Sequence, residues 1–359
     1  MASAPMGTAS PVSISSRSSI RGLKGLQQRG LVGADADPQL ERVTERYAVA
    51  ITEPVAALIA ADPDGPVARQ YLPTAAEAVS LPDEIVDPIG DGAHSPVRGI
   101  VHRYPDRVLL KLTHACPVYC RFCFRREQVG PGGEALGKDD LDVALAYIRS
   151  HPEIWEVVFS GGDALYLPPK KLKSVLAEIG AMPHVEVVRF HSRVPVVLPA
   201  VIDGAMLAAL AGRPACYVAV HINHRDELTA EAVAALRAMT RSGITLLSQT
   251  VLLKGINDDP AVLADLFRAL VANNVKPYYL HHLDRAPGTS HFRVPLERGQ
   301  EIVRQLRGRV SGLCQPTYML DIPGGYGKVP IGPNYVEAMP GGYRVTDPNG
   351  GEHAFPDAE

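Results

Sequence analysis

No run of about 18 apolar residues occurs anywhere in the 359 residues, so no segment reads as a membrane-spanning helix. Excess charge of one sign is also missing. With 36 Lys and Arg against 39 Asp and Glu the net charge is -3, and no overall field draws the chain toward nucleic acid or an anionic membrane. A partner must therefore be sought at a site. Cysteine is sparse, five residues in all, and three of them are clustered at Cys116, Cys120 and Cys123. That pattern suits metal chemistry in a reducing compartment better than a disulfide framework, and the matching expectation is a cytoplasmic protein. The first 34 residues contain no Asp or Glu but seven Ser. Their composition leads us to expect a disordered tail over residues 1–36, with an organellar transit peptide as the alternative.

What is present is a rhythm. A helical pattern runs from Pro38 to about Ala60, and a Pro-rich approach segment completes a lead-in over residues 37–100. Short β-branched, apolar runs then predict strands at Val108–Thr113, Glu156–Ser160, Val185–Phe190, Tyr217–Ile222, Thr245–Leu252 and Lys276–His281. Helical patterns alternate with them: Asp139–Ser150, Pro169–Ala181, Asp203–Ala211, Thr229–Ser242, Pro260–Ala272 and Leu296–Arg309. Alternation of this kind implies right-handed crossovers and a parallel sheet, either doubly wound or curled. Polar residues follow every run: Cys116, Gly161 to Asp163, Ser192 and Arg193, His221 and Asn223, Gln249, and His281 to Asp284. One end of a barrel collects residues from all strands, whereas an open sheet concentrates them at a switch point. The reading is an α/β fold with a partial (β/α)6 TIM-like barrel over residues 101–315, followed by a C-terminal segment, 316–359.

The stretch "THACPVYCRFCFRRE" sets its three cysteines as C-x3-C-x2-C on one loop. A closed zinc site needs four protein ligands, and no second C-x2-C knuckle exists. Three thiolates instead suit a cubane cluster with one iron left open. Cys216 and Cys314 lack ligand spacing and read as buried, inert thiols. Near the C-terminus, "DIPGGYGKVP" surrounds Lys328 with glycine and proline. It is no phosphate loop of the G-x-x-x-x-G-K-[ST] kind, because Ile322 and Val329 occupy the first Gly and final Ser/Thr positions. A solvated lysine in a turn is the bland alternative. Arg103, Tyr104 and Arg107 in "HRYPDR" offer a second phosphate-friendly group.

The cysteine spacing resembles the radical S-adenosylmethionine superfamily, and "FSGGD" matches that family's glycine-rich motif. The resemblance implies a 4Fe-4S cluster on Cys116, Cys120 and Cys123 whose open iron is chelated by S-adenosylmethionine. Further segments, among them "HRYPDRVLL", "HINHRDELT", "SQTVLLKGIND", "KPYYLHHLD" and "DIPGGYGKVPIGPNYV", are similar to the lysine 2,3-aminomutase family from about Ile51 to Val336. That family's chemistry moves an α-amino group to the β-carbon. By the resemblance, Lys328 forms a Schiff base with pyridoxal 5'-phosphate, and Arg103, Tyr104 and Arg107 hold its phosphate. Arg125 pairs with the substrate α-carboxylate, while Asp284 and Asp321 hold the distal ammonium of L-lysine. Gly161, Gly162, Asp163, Ser192, Arg193, His221 and Gln249 lie where S-adenosylmethionine is held.

Implied partners are an amino-acid substrate, an electron donor such as flavodoxin or ferredoxin, and further copies of the chain, with no nucleic acid or membrane. Some family members carry zinc through a cysteine after the "GIND"-type turn and a C-terminal extension. Here Asp259 takes the first place and the sequence ends at Glu359, so the expectation is no zinc. The alternatives are an aminomutase for another amino acid such as arginine, and a relative making β-lysine for elongation factor P. From a different class comes a cluster protein of redox or methyl-transfer chemistry without pyridoxal phosphate.

Overall fold

The first regular structure falls where composition suggests a tail. In the computed structural model, which describes residues 19–130 and 135–357, strand β1 (Ile20–Arg21) pairs antiparallel with β2 (Ala50–Ile51). Helix Gly22–Gln28 buries Leu26 completely, and Ile20, Leu31 and Val32 pack on the same core. The tail expected over residues 1–36 is thereby corrected for residues 20–36, while residues 1–18 lie outside the described residues. Composition averages over a window and misses a few apolar side chains spaced to dock. The helix expected from Pro38 to about Ala60 is likewise two helices, Gln39–Arg46 and Glu53–Ala61, separated by β2. The β-branched Ile51 and Thr52 stay extended, and Pro54 opens the second helix, where its missing N–H costs nothing.

The main sheet follows chain order: β3 (Ile100–Tyr104), β4 (Arg107–Thr113), β5 (Glu156–Gly161), β6 (Val187–Ser192), β7 (Ala215–His221), β8 (Thr245–Val251), β9 (Val275–His281), β10 (Thr317–Ile322) and β11 (Gly327–Pro330). Strands β4 to β10 are parallel, and β3 and β11 run antiparallel at the two edges. All six expected strands are present. A seventh parallel strand, β10, comes from the segment read as C-terminal.

Helices between the strands bury one stripe each. In Pro260–Ala272 the stripe is Leu263, Leu266, Phe267 and Leu270, spaced i, i+3, i+4, i+7, and each such burial is worth about 1.5–3 kcal/mol. Asp259 caps this helix, accepting from the N–H groups of Ala261 and Val262 at 2.7 and 3.4 Å. Phe159 and Phe190, directly opposite on β5 and β6, stack with centroids 4.3 Å apart in the core.

The sheet curls until its edges meet through side chains. The Lys328 N–H on β11 donates to the Tyr104 hydroxyl on β3 at 2.8 Å, and His94 Nε2 lies 3.1 Å from the Gly325 carbonyl. The result is the partial barrel that the βα rhythm implies. Beyond it, β12 (Val336–Met339), β13 (Gly342–Thr346) and β14 (Glu352–Pro356) form a separate, largely exposed antiparallel sheet.

Candidate active site

A cavity of about 490 Å³ runs along the lumen, from the cysteine loop past the strand ends to Glu156 and Arg189. Its wall contains every side chain that the sequence reading nominated: the three cysteines, Gly161 to Asp163, Ser192, Arg193, His221, Gln249, Arg103, Tyr104, Arg107, Arg125, Asp284, Asp321 and Lys328. Residues from all nine strands of the sheet and their loops thus share one cavity.

The cysteine loop leaves the end of β4 and is braced by the glycine pair that follows β5. The Gly162 N–H donates to the Thr113 carbonyl at 2.6 Å, and the Asp163 N–H to the Ala115 carbonyl at 3.0 Å. A Cβ on Gly162 would lie 2.4 Å from the Ala115 oxygen; Gly161 adopts φ +103 with the Thr113 oxygen 2.7 Å from its missing Cβ. Only glycine permits that approach. The Asp163 carboxylate accepts from Ser192 Oγ at 2.8 Å and from the N–H groups of Arg193, Val194 and Leu165 at 2.7, 3.2 and 3.1 Å. Burial raises its pKa against those donors. Asp163 and Ser192 are therefore spent on each other, fastening the glycine turn to the end of β6.

The arginines near the loop divide their work. Arg193 Nη1 donates to Cys120 Sγ at 2.9 Å, while Nη2 reaches Glu227 Oε2 at 2.6 Å and Gln70 Oε1 at 2.7 Å. Arg121 and Arg126 turn away to share the buried carboxylate of Glu77. Arg125 faces the lumen. Burial, then the neighbouring acidic groups, pushes the Cys116 thiol up, and burial raises Cys123 to about 11.

Among the described residues no three His, Cys, Asp or Glu side chains close on a point as the ligands of one metal ion do. A cubane asks for something else, since each thiolate binds a different iron. Three thiols on one loop, open to a cavity and with a guanidinium on one sulfur, fit such a cluster. A second cavity of about 50 Å³ lies behind the loop, lined by the same three cysteines with Tyr47, Tyr119 and Arg126.

Across the lumen, Lys328 on β11 is ion-paired with Asp321 on β10, its direct register partner. Burial first, then Asp321, raises the Asp284 carboxyl to about 7. His281 Nδ1 lies 3.8 Å from Asp321, and burial followed by the Lys328 charge lowers that imidazole to about 3, so it is neutral near pH 7. The β3–β4 edge that meets Lys328 at the seam is rich in arginine. Arg107 stacks 3.9 Å over the Tyr104 ring and pairs with Asp106 at 2.6 Å. Arg103 donates to the Ile89 carbonyl, and its Nε is buried without a partner. An orphan guanidinium N–H beside a second arginine and a tyrosine hydroxyl suits a phosphate. His221 Nε2 is also buried unpartnered, 5.7 Å from Phe122 between ring centroids, and burial holds the ring neutral.

The sequence reading missed Asp91, Lys111, His191 and Glu77. Asp91 Oδ2 accepts from Arg125 Nη2 and Nε at 2.8 and 3.3 Å. His191 Nε2 lies 3.3 Å from Gln249 Nε2. Its position just after a predicted strand is the one signal that marked it; Glu77 carries only the Thr74-x-x-Glu77 capping spacing of a short turn, and Asp91 sits in an irregular segment with none.

Comparison with known proteins identifies the family. Residues 110–267 match the Radical SAM superfamily, and residues 303–342 match the family described as Lysine-2,3-aminomutase. The chain is 39% identical over 324 residues to a putative L-lysine 2,3-aminomutase of Aquifex aeolicus, covering 90% of this chain and 88% of that one. The chain belongs to the lysine 2,3-aminomutase family. It is also 42% identical to the L-lysine 2,3-aminomutase of Clostridium subterminale, over 77% of this chain and 66% of that enzyme, so it spans about two thirds of that relative. A glutamate 2,3-aminomutase of Clostridioides difficile shares 35% identity, over 76% and 64%. Aminomutases are isomerases, and among the described residues of this aminomutase no helix is long and apolar enough to cross a membrane.

Proposed function

We propose that the protein is an L-lysine 2,3-aminomutase that moves the α-amino group to the β-carbon, using a 4Fe-4S cluster, S-adenosylmethionine and pyridoxal 5'-phosphate. The observation that carries this reading is that one lumen holds both a pair of carboxylates and a lumen-facing arginine. Asp284 and Asp321 gather about an ammonium, that of Lys328, and the guanidinium groups of Arg125, Arg103 and Arg107 line the same lumen. The Lys328 ammonium marks a cation site and stands in for the distal ammonium of the substrate. Such a cavity suits a molecule with a carboxylate at one end and a cation at the other. It suits glutamate poorly, because a side-chain carboxylate would sit beside the Asp321 carboxylate and a buried Asp284 that ionises only with a cation beside it.

When bound, the cofactors supply a carbon-centred radical and a conjugated carrier for the migrating nitrogen. The chain's own residues hold and orient. Cys116, Cys120 and Cys123 would carry the cluster, and the backbone of Gly161 and Gly162, framed by Asp163 and Ser192, would line the adenosyl side with Arg193, His221 and Gln249. Lys328 would carry pyridoxal phosphate covalently. Arg103, Tyr104 and Arg107 would grip its phosphate, and Arg125 the substrate carboxylate. Seating in the lumen would hold the reacting atoms in contact and limit their exposure to water. The reducing electron would come from an external donor such as flavodoxin or ferredoxin in the cytoplasm.

Anaerobic reconstitution and assay with a panel of free amino acids tests the proposal. Lysine should yield β-lysine, and glutamate should turn over at least about thirtyfold less efficiently, the equivalent of about 2 kcal/mol from one uncompensated charge. Borohydride should fix the pyridoxal label on Lys328. Preference for arginine would move the assignment to another aminomutase, and an unlabelled Lys328 would sink it.

A further inference from the structure

Arg125 is held from behind. Its Nε and Nη2 donate to Asp91 Oδ2, and its Nη1 donates to Ser160 Oγ at 3.1 Å. A guanidinium has five N–H groups, so these three bonds leave one on each terminal nitrogen for a carboxylate in the lumen. Asp91 does not line the lumen, whereas Arg125 does. The carboxylate is itself surrounded. Arg103 Nη2 lies 3.5 Å from Asp91 Oδ1 and Lys111 Nζ 3.7 Å from Oδ2, and Asp91 is 3% exposed with Oδ1 lacking a hydrogen bond. Asp91 is thus the carboxylate on which three cations converge, with Asp87 also acting on Lys111. Lys111 also abuts Gly161, whose missing Cβ would lie 3.2 Å from the Lys111 Cβ, so this group adjoins the glycine turn.

We propose that Asp91 is a positioning residue for the substrate-carboxylate subsite. It fixes the Nε edge of Arg125 and leaves the two unused N–H groups to the carboxylate. The inference rests on the aminomutase reading and assigns a role to a residue that touches neither substrate nor cofactor. A purely structural Asp91 would merely neutralise buried arginine. The difference shows in what is recognised: a positioning residue affects ligands that bear the carboxylate and spares those that lack it.

The test is equilibrium binding of L-lysine and of L-lysinamide to reconstituted holoenzyme, by calorimetry without reductant. In Asp91→Asn, lysine should bind about tenfold more weakly, since misplacing an oriented contact costs on that scale. Lysinamide should change by less than about twofold, and Asp91→Glu should recover part of the loss. With reductant present, KM should follow the binding loss while kcat stays within about threefold. In an Arg125→Lys background, Asp91→Asn should add little, because residues acting through one contact are not additive. Equal weakening of both ligands, no weakening, or additivity in that cycle would overturn the proposal. If Asp91→Asn does not fold, Ser160→Ala removes another brace and should shift lysine binding in the same direction, again sparing the amide. If the wild type selects a different amino acid, the lysine reading fails, and the comparison is run on that amino acid and its amide.

Discussion

Asp284 shows how one side chain's surroundings set its charge. Burial, then Asp321, raises its carboxyl to about 7, against about 3.9 in an unfolded chain. Between those values the folded protein holds the extra proton, so this group's contribution to stability is full below about pH 4 and declines as pH rises to about 7. Substrate acts in the opposite sense, because a distal ammonium prefers the ionised carboxylate. Lysine affinity should therefore strengthen from about pH 6 to about pH 8, with proton release on binding near pH 7. Calorimetric titration in two buffers of different ionisation enthalpy measures that release, and Asp284→Asn should remove it. Identical heats for the wild type in both buffers would contradict the raised carboxyl.

Turns and strand edges carry the next level of the argument. Gly162→Ala places a Cβ 2.4 Å from the Ala115 oxygen, against backbone that cannot swing aside. It should cost about 1–3 kcal/mol in chemical denaturation and lower the iron retained per chain, because the displaced strand-end loop carries Cys116. Gly204→Ala is the control. Its Cβ meets nothing within 4 Å at the start of helix Gly204–Leu210, so stability should hold or improve by up to about 1 kcal/mol. At the barrel seam, Tyr104→Phe deletes the hydroxyl that accepts from the Lys328 N–H. An orphaned amide costs about 1–3 kcal/mol, and hydrogen exchange over residues 327–330 should quicken while the central strands remain protected.

At the scale of the molecule, the lead-in and the barrel are joined by a buried charge cluster. Glu77, 0% exposed, bonds Arg121 and Arg126 from the cysteine loop and caps its own turn through the Thr74 N–H. Arg126 also donates to the Gly288 carbonyl at 3.0 Å and stacks 3.6 Å over the Tyr47 ring. Burial opposes the Glu77 charge, but the two arginines outweigh it and hold the carboxyl below its ordinary range. A depressed pKa gives stability that is present above the unfolded value near 4.3 and lost as pH falls through the folded one. Glu77→Ala would leave two buried cations unpaired and should destabilise by about 3–5 kcal/mol. Denaturation measures that loss, and faster loss of iron should accompany it, since the same arginines flank Cys120 and Cys123.

The sequence by itself determined the elements and their order. Alternating apolar runs and helical stripes are local, as are the C-x3-C-x2-C loop, the glycine pair after β5 and the glycines around Lys328, so they are visible to anyone reading along the chain. Parallel crossovers then place the carboxyl ends of the strands on one rim with the cysteines, Asp163, Ser192, His221 and Gln249, while Arg103, Tyr104, Arg107 and Lys328 reach the same lumen from the antiparallel edge strands and the start of β4. Only the tertiary structure decided which charges pair. Asp91 with Arg125, Glu77 with Arg121, and Tyr104 with Lys328 are separated by 34, 44 and 224 positions. No local period records such pairings. The docking of residues 20–36, the seventh parallel strand and the occupation of Asp163 by Ser192 belong to the same class. Each depends on which surfaces are left unsatisfied once the sheet has curled, and that is a property of the packed chain rather than of any one stretch of it.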